Sequence, residues 1–278
     1  MNLQRQTLAF TALAIAAISA LFFQKFNQFS SLQRLPKKEI TVSAAISLTD
    51  AMQDIKAAYT AIAPDTTVTY NFAASGTLQR QIEQGAPVDV FLSAGVKQMD
   101  ALDDRHLLVR GTRRDLLQNR IVAIAPSGTE AIADFRDLQK PEIKRIAIGE
   151  PEIVPAGQYA RELLLNLNIF EQIKPKIIFA RNVRQVLTLV ETGNVEAGIV
   201  YQTDALNSPQ VEVEAIAREG LHSKIIYPVA AIENRPNLET ARAFVDFLES
   251  DRAREIFEIY GFIPLTKSEN RSESSANF

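Results

Sequence analysis

The 278-residue sequence has no cysteine, no tryptophan and only two histidines, His106 and His222. Without cysteine there is no disulfide, no thiolate nucleophile, no iron–sulfur ligand and no thiol for lipid attachment. Two isolated histidines cannot build a zinc site of the usual His/Cys kind. With 11 glycines and 12 prolines, collagen-like and low-complexity readings also fall away. A net charge of −3 lacks the basic surplus of a nucleic-acid binder. What remains is an ordinary globular composition, 46% hydrophobic and 23% charged, long enough for about two domains or lobes.

The mild net charge conceals a division. Residues 1–39 carry five basic side chains (Arg5, Lys25, Arg34, Lys37, Lys38) against the single acid Glu39. The rest then holds 25 basic and 32 acidic residues, a balance of −7. Within the leader, Arg5 precedes the apolar run Leu8–Phe23, LAFTALAIAAISALFF. That run has the length of a secretory core and falls slightly short of the roughly 20 residues that span a bilayer. It reads as an export signal, either cleaved or retained as an uncleaved N-terminal membrane anchor, with Gln24–Lys38 as a basic tether.

From residue 40 onward, short β-branched runs alternate with helical periods. Glu39–Ala45 reads as a strand, and apolar positions at Leu48, Met52, Ile55 and Tyr59 as a helix that Pro64 stops. Strands follow at Thr67–Phe72, Val88–Ser93, Asn119–Ala125, Arg145–Gly149, Lys176–Ala180, Ala197–Tyr201, Val211–Ala217 and Lys224–Ile232. Helices are expected at 77–84, 157–167, 183–192, 238–248 and 253–260. Thr266–Phe278 has no apolar period and reads as a disordered tail. Such alternation favours mostly parallel sheets with helices on both faces, and ligands then bind beyond the carboxyl ends of the strands.

Four of those strand-to-helix junctions are rich in neutral hydrogen-bond donors. In Ala44–Asp50, Ser47 stands where a helix cap would be and Asp50 completes an S-x-x-D pattern. The same geometry serves an anion, because first-turn amides and the helix dipole both favour negative charge. Phe72–Thr77 repeats the chemistry around Ser75, with small neighbours that allow close backbone approach. Gly149–Gly157 is a rigid turn presenting the Ala156 amide, and Ala180–Arg184 opens a helix at Val183. Tyr201 ends the strand AGIVY.

Taken together, AAISLTDAMQDIK (44–56), FAASGTLQRQIEQGAPVDVF (72–91), GEPEIVPAGQYA (149–160), GIVYQTDA (198–205) and IFEIYGFIP (256–264) resemble the periplasmic molybdate-binding proteins of ABC transporters. The resemblance runs in order through nearly all of residues 40–265. It implies an α/β, two-lobed periplasmic-binding fold of type II, each lobe a mostly parallel sheet flanked by helices, with the ligand in the cleft. The implied division is 1–39 signal or anchor, 40–124 first lobe, 125–227 second lobe, 228–265 return to the first, and 266–278 tail. Crossings between lobes are expected near 122–126 and 226–230.

Carried over residue by residue, the resemblance implies that Ser47 and Ser75 each give a hydroxyl and an amide to molybdate or tungstate. Ala156 and Val183 give amides, and Tyr201 gives its phenol. No catalytic residue, cofactor or metal is implied beyond the molybdenum or tungsten of the oxyanion itself. The implied partner is an ABC permease with its cytoplasmic ATPase, served by a monomeric, extracytoplasmic binding protein. A tetrahedral dianion has only acceptor oxygens, so a site of donors suits it and disfavours a protonated oxyanion. The same fold also accommodates a sulfate or thiosulfate binder. An enzyme would need a nucleophile–base pair or a metal cluster at the junctions, where neither histidine lies, and an anchored sensor would need a signalling domain.

Overall fold

The computed structural model describes residues 38–129, 132–206 and 208–265; the expected export segment and the polar tail lie outside them, except that Lys38 and Glu39, expected to end the leader, open the first strand. Two mixed sheets organise the chain. In the first, β1 (Lys38–Ala45), β2 (Thr66–Ala73) and β3 (Val90–Leu92) form a parallel trio with β1 in the middle. In the second, β6 (Ile146–Gly149), β7 (Ile177–Ala180) and β8 (Ala197–Tyr201) form another, centred on β6. The remaining strands are β4 (Arg114–Gln118), β5 (Ile121–Pro126), β9 (Val211–Ile216), β10 (Ile226–Ala231) and β11 (Ile263–Pro264). Sheet order is β11-β4-β10-β3-β1-β2 and β7-β6-β8-β5-β9.

The expectation of mostly parallel sheets is corrected here. Only four of the nine strand pairings are parallel, because every pairing of β4, β5, β9, β10 and β11 is antiparallel. The cause is the chain path. β4 leads across to β5 and β9 leads back to β10; β4 pairs with β10 while β5 pairs with β9. Two crossings therefore run between the lobes. By sheet membership they lie at 119–120 and 217–225, earlier than the expected 122–126 and 226–230. Residues 121–124 accordingly lie in the five-stranded sheet, and 226–227 in the six-stranded one.

Helices cover the sheets as the periodicity indicates. They are α1 (Thr49–Ile62), α2 (Ser75–Glu83), α3 (Val96–Asp103), α4 (Pro155–Asn166), α5 (Phe170–Ile173), α6 (Val183–Glu191), α7 (Gln202–Leu206), α8 (Leu238–Leu248) and α9 (Asp251–Ile259). A 3₁₀ turn, Ile46–Leu48, links β1 to α1. Sequence periodicity passes over α3 and β4: VKQMDALD is a single short amphipathic stretch, and RDLLQ offers only two apolar residues. Among the described residues, no helix is long and apolar enough to cross a membrane.

In each parallel trio the helix after a strand begins at the strand's carboxyl end, so the helix starts collect along one edge of each sheet. The second lobe holds its helix close by omitting side chains. A Cβ on Gly157 would lie 1.9 Å from the Gly149 carbonyl oxygen, so α4 packs directly on the backbone of β6. Gly157→Ala is expected to lower stability by about 1–3 kcal/mol through overpacking. Urea unfolding should show a lower midpoint at unchanged slope; an unaltered midpoint would show that the contact yields.

Candidate functional site

The four donor-rich junctions converge. Ser47, Ser75, Ala156, Val183 and Tyr201, which lie on both lobes, line one small cavity at the seam. Its volume is about 10 Å³ for the centre of a water-sized sphere. Pockets for drug-sized organic ligands are about 300–1,000 Å³, so this one suits only a compact species. Its lining consists of alanines and other apolar residues, two serines and a tyrosine, with no charged side chain.

Helix geometry supplies the donors. Ser75 is the first residue of α2, Ala156 the second of α4 and Val183 the first of α6. First-turn amides have no acceptor within their own helix, so each points a free N–H past the helix end. Asn182 caps α6 by accepting from the Gln185 amide at 2.9 Å, which leaves the Val183 amide to the cavity side. Pro155 fills the first position of α4, where an N–H is dispensable. Counting the turn into α1, four helix starts surround the cavity. At about half a positive charge each they supply about +2 without an ionised group.

Ser47 does not cap its helix. It sits inside the 3₁₀ turn, α1 starts two residues later, and no side chain caps it. Ser47 is 5% exposed, and its Oγ lies 3.1 Å from Tyr227 Oη instead. Asp50, the expected partner in that capping pattern, turns across the seam to Arg184 of α6. Ser75 is 1% exposed, and its Oγ accepts the Ala94 amide at 2.9 Å.

Tyr201, 1% exposed, donates its phenolic hydrogen to the Ala94 carbonyl across the seam at 3.0 Å. Burial holds the Tyr201 and Tyr227 phenols well above the ordinary tyrosine range, so both remain neutral donors. A backbone bond also closes the seam: Gly76 N–H donates to Ile153 O at 2.9 Å. Only glycine fits there, because a Cβ would stand 2.7 Å from that oxygen.

Charge is present one layer out. Asp204 of α7 is fully buried, and burial pushes its carboxyl up to about 7 against the opposing pull of Arg184. Arg184 Nε stands 3.4 Å from Asp204 Oδ1, so this arginine faces one acid in its own lobe and Asp50 in the other. Sequence reasoning passed over Ala94, Asn119 and Tyr227. Ala94 carried a readable signal, since Leu92-Ser93-Ala94-Gly95 is another small-residue junction after a strand. Asn119 and Tyr227 carried none, being single polar residues in strand-like runs.

Among the described residues, no group of three or more His, Asp and Glu side chains is placed to hold a metal ion. The family model for bacterial extracellular solute-binding protein matches residues 40–263. The molybdate-binding protein ModA of Escherichia coli (strain K12) is 43% identical over 230 residues, 81% of this chain and 88% of that protein. A putative ABC transporter substrate-binding lipoprotein of Bacillus subtilis (strain 168) is 39% identical over 252 residues, 89% of this chain and 96% of that protein. Among solved structures, the substrate-binding domain of a putative molybdenum ABC transporter from Clostridium difficile superposes with a TM-score of 0.66 at 42% identity. That match covers 82% of this chain and 99% of the other. With its two-lobed fold, its donor-lined seam and these relatives, the chain belongs to the bacterial extracellular solute-binding proteins, in the molybdate-binding protein family.

Proposed function

We propose that this chain captures molybdate, or the equally sized tungstate, outside the cytoplasm and hands it to an ABC permease worked by a cytoplasmic ATPase. The observation that carries this reading is the cavity: four helix starts and neutral hydroxyls around one small space at the seam, with no charged side chain in the lining. Ser47 and Ser75 each give a hydroxyl and an amide, Ala156 and Val183 give amides, and Tyr201 exchanges its Ala94 acceptor for an anion oxygen. The seven donors give a gross gain on the order of 10–20 kcal/mol. A submicromolar ligand needs only about 8–12 kcal/mol net, which leaves room for desolvation and for ordering the lobes. The apolar leader at Leu8–Phe23 directs the chain out of the cytoplasm, and a single copy suffices, because both halves of the site come from one chain.

Donors contributed by both lobes tie ligand capture to closure about the two crossings. Competitive calorimetry with molybdate, tungstate, sulfate and phosphate tests the ligand. Tight molybdate and tungstate binding is expected, and a preference for sulfate would overturn the reading. Ser75→Ala, or Ser47→Ala, should weaken molybdate by roughly 1–3 kcal/mol, about tenfold to a hundredfold; unchanged affinity in both would remove the serines from the site. Small-angle scattering should show a smaller radius of gyration on saturation with molybdate, and an unchanged radius argues against closure.

A further inference from the structure

Both site serines are approached from behind by a hydrogen-bond donor. For Ser75 it is the Ala94 amide, which can only donate. For Ser47 it is Tyr227, whose hydroxyl could in principle point either way. The surroundings decide. Asn119 Oδ1 accepts the Arg120 amide at 2.8 Å, which fixes the orientation of the carboxamide. Its Nδ2 then donates to Thr203 Oγ1 at 2.9 Å and to Tyr227 Oη at 3.2 Å. Tyr227 is 0% exposed, so a phenolic hydrogen without a partner there would be costly. With one lone pair taken by Asn119, the satisfied arrangement sends the Tyr227 hydrogen to Ser47 Oγ. Ser47 must then point its own hydrogen away from Tyr227, towards the cavity.

We infer that Asn119 and Tyr227 are positioning residues that fix the polarity of Ser47, turning its hydroxyl hydrogen to the ligand and occupying one of its two acceptor lone pairs. The Ala94 amide fixes Ser75 in the same sense. An unrestrained serine has both lone pairs free to accept from a protonated oxyanion, and the relay takes up one of them. It therefore biases the site towards fully deprotonated anions from one layer outside the cavity. Asn119 lies at the first crossing between lobes and contacts Thr203 in one lobe and Tyr227 in the other, so the polarity is set from the crossing itself. The inference rests on the oxyanion reading above and adds to it the device that discriminates protonation state.

Tyr227→Phe keeps the ring and deletes the hydroxyl. Calorimetry with molybdate and with inorganic phosphate, below neutral pH where phosphate carries protons, reads the effect. The variant should narrow the preference for molybdate over phosphate by about tenfold, the worth of one hydrogen-bond polarity at a charged ligand. In a Ser47→Ala background the same change should leave the preference unaltered, because the relay acts through Ser47 alone. Thermal unfolding reports whether each variant is folded. Equal weakening of both anions by Tyr227→Phe, or the same narrowing without Ser47, overturns the relay while leaving molybdate as the ligand. A wild-type chain that binds neither anion removes the oxyanion reading, and the relay with it.

Discussion

A doubly charged anion withdrawn from water must be met by donors on every side, yet a cation brought in to meet it would have to be partnered too. Helix starts escape that dilemma, since their amides lack internal acceptors and carry partial charge with no ion to desolvate. Much of this architecture follows from that economy. Each lobe contributes a parallel trio because parallel strands release their helices along one edge. Facing those edges across a seam places amides of α2, α4 and α6, with the turn before α1, around one small cavity.

The ionised groups stand outside the cavity and are matched to one another. Asp204 is buried, Arg184 faces it, and Asp50 meets the same guanidinium from the opposite lobe. This arginine, adjacent in sequence to Val183, is thereby engaged with protein acids and does not line the cavity. A body carrying −7 beyond its leader attracts no anion by bulk charge, so recognition falls to short-range geometry.

The cavity residues were legible in sequence because they occupy the start of a helix, or the turn leading into one, after a parallel strand, or, for Tyr201, the last position of such a strand. There, small residues, prolines and hydroxyls stand out against β-branched runs. The crossing strands were legible only as strands. β5, β9 and β10 are apolar enough to be noticed, but nothing in a hydropathy pattern says that they run antiparallel or change lobe. Asn119 and Tyr227 owe their importance to contacts over 84 to 180 positions of sequence. Local spacing has no means of recording those contacts. Ser47 was misplaced as a cap for the opposite reason: the local pattern was genuine, but an inserted 3₁₀ turn carried its hydroxyl to a distant tyrosine.

The Gly76–Ile153 contact is a bond between two backbones, and its demands on the two sides are unequal. At 153 the partner is a carbonyl, which almost any amino acid provides. At 76 the absence of a Cβ is obligatory, because 2.7 Å leaves no room for one. The pair is thus intimate in space, yet it constrains the side chain on one side alone. Position 76 should hold fast among relatives while 153 drifts, and covariation, which finds contacts through reciprocal change, would pass over this one. One of the bonds that closes the molecule would leave only half a trace in its evolutionary record.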